Sequence, residues 1–217
     1  ESWSVPNELT LEGIDGIIED FTAAAKRSVE AGFEVIELHL AHGYLACEFM
    51  SPLSNSRNDR YGGSLSDRCR FALDIASAVR NVIPDGMPLI ARISSTEYMP
   101  DGWNLNDSVE LSGWLKDVGV DMIDCSSGGN AAEQDLDPYP GYQVPFAKRI
   151  RDEVGILTGA VGLLTDPFQC EQTLRNGDSD VLLLGRELLR NPYWALSAQV
   201  ALDDEDSFWP DQYVRAR

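Results

Sequence analysis

Five short runs rich in β-branched residues recur along the chain, at Phe33–His39, Pro88–Ser94, Val120–Cys125, Ile156–Val161 and Asp180–Gly185. Each is mostly apolar on both faces rather than at alternate positions, the pattern of a buried strand in a parallel sheet. Between them lie stretches with apolar residues at helical spacing: Ile14–Ala31, Ser66–Val82, Leu105–Val118, Val144–Val154, Pro167–Asn176 and Glu187–Leu202. Strand and helix alternate throughout, so the fold class is α/β. Helix-start signals agree. Ser64 stands three residues before Asp67, and Asp166-Pro167 supplies a cap and a first-turn proline.

Glycine placement favours a (β/α)8 TIM barrel over an open sheet. Gly162 follows the fourth run, and Gly185-Arg186 ends the fifth. Barrels frequently hold phosphate in the loops after strands seven and eight, at a helix start whose backbone N–H groups are free. On that count the five runs are strands four to eight, and residues 1–217 are the C-terminal part of one barrel domain. Residues 1–32 hold the helix before strand four, and residues 203–217 an acidic loop and tail. The chain opens on Glu1 and is shorter than the roughly 250 residues of a full barrel. An N-terminal portion on the order of a hundred residues is therefore expected to precede it. A five-strand arc alone would leave two open edges and half a core.

Charge narrows the partners. The chain has 36 acidic against 17 basic residues, a formal net of -19, which argues against nucleic acid or an anionic membrane as partner. Its only lysines are Lys26, Lys116 and Lys148, and most of its acids are aspartates. Such a surface repels itself in dilute buffer and suits concentrated salt, so a halophilic source is expected. No run approaches the roughly 18 apolar residues of a membrane span, and the first residues lack the basic and apolar regions of a signal peptide. The reading is a soluble, cytoplasmic protein. Cys47, Cys69, Cys125 and Cys170 stand far apart without a Cys-x-x-Cys pair, which fits buried thiols and no bound metal.

The two histidines of the chain, His39 and His42, fall at the end of the first run, with Tyr44 two positions on. Strand ends of this kind build barrel active sites. Two imidazoles three residues apart can reach one small site if the chain leaves β geometry after the first, and each can donate a hydrogen bond to a carbonyl or phenolate oxygen. A packed histidine pair with a surface tyrosine, or a metal pair, would give the same spacing.

Several strings carry a family likeness: Ala31-Gly-Phe-Glu-Val-Ile-Glu-Leu-His39-Leu-Ala-His42-Gly-Tyr44, Phe49-Met-Ser-Pro-Leu-Ser-Asn55 and Arg60-Tyr-Gly-Gly-Ser64. Further on come Ala91-Arg92-Ile-Ser94, Ser126-Ser-Gly-Gly129, Gly159-Ala-Val-Gly162 and Leu184-Gly-Arg186-Glu-Leu-Leu-Arg-Asn-Pro-Tyr-Trp194. In this order and spacing the chain resembles the Old Yellow Enzyme family of flavin-dependent ene-reductases. It is most similar to the bacterial NADPH dehydrogenase branch, since the cysteine cluster of the larger dienoyl-CoA reductases is absent.

The resemblance implies a barrel that binds FMN, takes hydride from NADPH or NADH and reduces the C=C bond of α,β-unsaturated carbonyl compounds. His39 and His42 would hold the carbonyl oxygen and Tyr44 would give the proton to the α-carbon. Arg92 matches the arginine near flavin N1, where a fixed cation favours the reduced state. A salt bridge inside the barrel is the other reading of Arg92. Gly162, Gly185 and Arg186 match the phosphate site, and Ser126, Gly128 and Gly129 close strand six beside the cofactor. The ending Gln212-Tyr-Val-Arg215 resembles a tail that reaches a neighbouring subunit's site, which implies a homo-oligomer, with a frayed terminus as the alternative. Two other readings are a non-catalytic or incomplete fragment, and a phosphate-binding barrel lyase or isomerase with His39 and His42 as acid and base.

Overall fold

The computed structural model describes residues 6–204 and 209–216. Five parallel strands, β1 (Ile36–Leu40), β2 (Leu89–Ser94), β3 (Met122–Ser126), β4 (Leu157–Val161) and β5 (Val181–Leu183), form one sheet in sequence order. The helices α1 (Leu11–Glu30), α2 (Leu45–Met50), α3 (Leu65–Arg80), α4 (Leu105–Asp117), α5 (Val144–Val154), α6 (Pro167–Arg175), α7 (Arg186–Arg190) and α8 (Trp194–Ala201) precede, separate and follow them. A 3-10 helix spans Asp211–Ala216. Among the described residues β1 and β5 are edges, so the sheet is an arc of a barrel rather than a closed one.

Local chemistry sets the helix starts. Thr10 accepts from the Gly13 N–H at 3.0 Å, Ser64 from Asp67 at 3.2 Å and Asp166 from Gln169 at 2.9 Å, while Asn104 and Asp107 close a capping box on α4. Each such cap contributes about 1 kcal/mol. The expected helix over Glu187–Leu202 is broken into α7 and α8, because Pro192 disfavours helical geometry at the residue before it. Asn191 accordingly sits at φ -131 and ψ 88. The first strand begins at Ile36 rather than Phe33, as pairing with β2 starts at Ile36↔Leu89 and leaves Phe33 and Val35 exposed. The short α2 was not anticipated.

Successive residues of a strand point to opposite faces. One face, built from Leu38, Leu40, Leu89, Ala91, Ile93, Ile123, Cys125 and Ala160, packs on the helices in a core shared with Phe71, Ile75, Leu111, Leu115 and Ile150. Full burial of side chains of this size stabilises by roughly 1.5–3 kcal/mol each. The other face presents a polar row in register: His39 beside Arg92, Arg92 beside Asp124, and Asp124 beside Gly159. The expectation of strands mostly apolar on both faces therefore does not hold on this face, where Glu37 and His39 of β1 are exposed.

Candidate active site

At the C-terminal end of β1 the chain leaves extended geometry through two left-handed residues, His42 (φ 61) and Gly43 (φ 73). Tyr44 then caps α2, its N–H donating to the Ala41 carbonyl at 3.2 Å. The turn folds the three aromatic rings together. The His39 and His42 centroids are 5.2 Å apart, and those of His39 and Tyr44 are 5.1 Å apart. Glycine is required on both sides of a close approach here. A Cβ on Gly43 would collide with the Gly129 carbonyl oxygen, and one on Gly129 (φ 94) would stand 2.7 Å from the His42 Cα.

These loops are also tied through Glu97, which is buried. Its Oε1 accepts from Ser51 Oγ at 2.8 Å and from the Trp103 N–H at 2.6 Å, and its Oε2 accepts from Asn130 Nδ2 at 2.9 Å. His42 is held further by its own N–H, which donates to Ser94 Oγ at 2.9 Å, and by its Nε2, 2.7 Å from Ser126 Oγ.

Arg92 Nη1 stands 3.2 Å from Asp124 Oδ2. The ion pair that sequence offered as the other reading of Arg92 is therefore present, yet it leaves the site incomplete. Arg92 Nε and both Asp124 carboxylate oxygens are buried without a hydrogen-bond partner. Burial pushes the Asp124 carboxyl up to about 7, against the pull of Arg92 and with a smaller push from Glu37. Burial also lowers His42 to about 4, helped by the charge of Arg92 and by His39, and lowers His39 for the first two of these reasons. At neutral pH both imidazoles are uncharged, and each has one N–H to donate.

His42, Arg92, Ser126, Gly162, Gly185 and Arg186 all line one cavity of about 470 Å³. Gly162 has φ 135, and a Cβ on it would strike the Tyr142 ring. Nothing lies within 4 Å of a Cβ built on Gly185, and Arg186 next to it is exposed with no ion pair among the described residues. Arg92 Nε, buried without a partner, and the exposed Arg186 guanidinium are donors suited to an anionic or carbonyl oxygen.

His39, whose ring stands beside His42, and Tyr44, whose ring stands beside His39, do not line this cavity, and neither do Gly128 and Arg215. Gly128 has its N–H donating to the Thr96 carbonyl and its own carbonyl accepting from Ser94 Oγ, both at 2.8 Å, so its backbone is committed within the protein. Arg215 lies exposed on the Asp211–Ala216 helix, beside an apolar hollow formed by Tyr193, Leu196, Val200, Trp209 and Tyr213, and does not line the cavity. Of the expected acidic loop, Asp203 and Asp204 are described, and residues 205 and 206 lie outside the described residues. Asp124, Glu97 and Gln143 were missed. Only Asp124 had a sequence signal, a carboxylate flanked by Met122, Ile123 and Cys125 in a strand run. Among the described residues no group of three or more His, Cys, Asp or Glu could hold a metal ion, and no helix is long and apolar enough to cross a membrane.

The chain is 51% identical over 198 residues to the NADPH dehydrogenase of Geobacillus thermodenitrificans, covering 91% of this chain and 57% of that protein. It is 48% identical over 216 residues to the NADPH dehydrogenase of Bacillus cytotoxicus, covering 100% and 61%. The chain thus spans about six-tenths of the length of the curated relatives it matches. Among solved structures, a complex of 2-naphthoyl-CoA reductase matches with a TM-score of 0.83 at 24% identity, over 91% of this chain and 30% of that one. Morphinone reductase in complex with tetrahydroNAD matches at 0.72 and 26%, over 90% and 52%. Such folds are (β/α)8 barrels, and the five-stranded sheet corresponds to part of one. The sequence matches the NADH:flavin oxidoreductase / NADH oxidase family over residues 1–205, and the chain belongs to this, the Old Yellow Enzyme family, in its bacterial NADPH dehydrogenase branch.

Proposed function

We propose that the chain carries the substrate-oxygen, proton-donor and phosphate-holding part of an FMN-dependent enzyme. The enzyme takes hydride from NADPH or NADH and reduces the C=C bond of an α,β-unsaturated carbonyl compound. The observation that carries this reading is the convergence of a neutral imidazole, an arginine with an orphaned Nε and a glycine-arginine turn on one cavity, with the edge-on rings of His39 and Tyr44 next to His42. Relatives named NADPH dehydrogenase and a related reductase that holds tetrahydroNAD support it.

The residues present fit FMN. Arg92 would hold the ring, Gly162, Gly185 and Arg186 the phosphate, and Ser126 would border the cofactor. When bound, FMN would supply the redox chemistry that links the nicotinamide hydride donor to the substrate double bond. His39 and His42 each offer an N–H to the carbonyl oxygen, and these fixed donors stabilise the negative charge that develops there. The Tyr44 hydroxyl, exposed beside His39, gives its proton to the α-carbon. Arg215 on the Asp211–Ala216 helix is a cation available to a neighbouring subunit in a homo-oligomer. The aspartate-rich surface is read as an adaptation to concentrated salt, so loss of salt should lower the melting temperature; an unchanged melt would reject that part.

The test is a visible absorption spectrum of the chain purified in concentrated salt with FMN supplied, then titrated with phenol. A bound-flavin spectrum with a new long-wavelength band on adding phenol is expected, and His39→Ala should weaken that band. Bound flavin with no response to phenol would reject the role of the histidines, and a colourless protein would reject flavin binding by this chain alone.

A further inference from the structure

Gln143 directly precedes α5 and is 2% exposed. Its Nε2 donates to the Val161 carbonyl at the end of β4, at 2.7 Å. That bond decides which way the amide faces, and so turns Oε1 toward the end of β3. There Oε1 accepts from Ser127 Oγ and stands 3.4 Å from Ser126 Oγ. Ser127 in turn accepts from the Tyr98 hydroxyl at 2.9 Å, so its single hydrogen goes to Gln143. Ser126 is left between two groups: Gln143 Oε1, which can only accept, and His42 Nε2, which does either according to tautomer.

We propose that Gln143 is a positioning residue that sets the tautomer of His42. When the Ser126 hydroxyl points at Gln143, its lone pairs face His42, and the imidazole proton must reside on Nε2. With the hydroxyl turned to His42 instead, the lone pairs of Ser126 Oγ would face Gln143 Oε1 across 3.4 Å at a buried position, an unfavourable contact between two acceptors where the local dielectric is low. The neutral state of His42 at pH 7 makes the choice a real one, because only one ring nitrogen then carries a proton. The inference rests on the reading that His42 holds a substrate oxygen: the donor kept ready for that oxygen is Nε2–H, lent to Ser126 at rest. Gly162 follows Val161, and a Cβ on it would lie 3.1 Å from Gln143 Nε2. One side chain thus joins the anion-holding turn to the imidazole.

With only two histidines in the chain, nitrogen NMR of the histidine-labelled full chain resolves the matter, and His39→Asn assigns the two rings. His42 is expected to carry its proton on Nε2 and a bare Nδ1. Gln143→Met frees the Ser126 hydroxyl to turn, and should move the tautomer ratio of His42 several-fold toward Nδ1–H. Ser126→Ala should also move it. Ser127→Ala should not, because Gln143 still accepts from Ser126. A wild-type His42 protonated on Nδ1 overturns the proposal. So does a ratio that neither Ser126→Ala nor a folded Gln143→Met changes, or one that Ser127→Ala changes equally. Adding phenol separates the two readings: if neither imidazole signal responds while the tautomer behaves as stated, the oxygen-holding role falls and the Gln143 assignment stands.

Discussion

On the helix-packed face of the sheet, Leu38, Ala91, Ile93, Ile123 and Cys125 lie in the apolar core shared with the helices. On the opposite face the same three strands present His39, Arg92, Asp124 and Ser126. The first arrangement is close-packed and unspecific in chemistry. The second leaves an arginine nitrogen and two carboxylate oxygens buried without hydrogen bonds, a cost the first face must offset. Stability and reactivity are thus divided between alternate residues of a strand, and neighbours in sequence can be changed to test the division.

The largest effect is expected at Ile123, fully buried on the packed face. Ile123→Ala should cost about 2–5 kcal/mol in denaturant unfolding, whereas Val181→Ala on the other face, where Val181 is 43% exposed, should stay within about 0.5 kcal/mol. Equal losses would break the comparison.

Arg92→Met comes next. It strips the buried Asp124 of its cation, so the carboxyl rises further above its already raised value. A raised carboxylate favours the protonated form in the folded state, and its contribution is lost as pH climbs from the unfolded value through the folded one. The variant should therefore be destabilised by about 1–2 kcal/mol more at pH 8 than at pH 5. A loss independent of pH would remove the Asp124 explanation.

A smaller effect lies in the slope of melting temperature against pH. His42, lowered from 6.5 to about 4, draws stability down as pH falls through that window. Asp124, raised from 3.8 to about 7, draws it down as pH rises through nearly the same window. The two oppose each other. His42→Asn should leave the profile declining toward pH 7, and Asp124→Asn should leave it rising; identical slopes in both variants would contradict the assignment. The smallest change in stability, within about 0.5 kcal/mol, is expected for the exposed Tyr44→Phe. Reduction of enones with poorly activated double bonds should nonetheless slow markedly in that variant, and unchanged turnover would take the proton donor away from Tyr44.

The strand and helix alternation was legible because each element is written in its own local pattern. Val144–Val154 has the expected bounds, and the caps at Ser64 and Asp166 are formed as read. The break at Pro192 could have been read and was not. The histidine turn, Arg92, Gly162 and Gly185-Arg186 were legible as short strings that share one cavity. Gln143 and Glu97 were not, for a physical reason. Gln143 acts on a carbonyl 18 positions later and on serines 16 and 17 positions earlier. Glu97 joins partners 46 positions before it and 33 after. No local period encodes such bonds. Gly128 is tied in the same long-range way, its N–H to the Thr96 carbonyl and its carbonyl to Ser94 Oγ.

The backbone contact between Gly43 and Gly129, backed by Glu97 through Ser51 at the end of α2 and Asn130 beside Gly129, has a kinetic consequence. Two turns that begin on different strands cannot separate without exposing a buried carboxylate, so they should open as one cooperative unit. In hydrogen exchange, amides of residues 42–44 and 128–130 should share a single opening free energy. Glu97→Gln should lower it for both turns together, leaving the exchange of β4 and α5 unchanged.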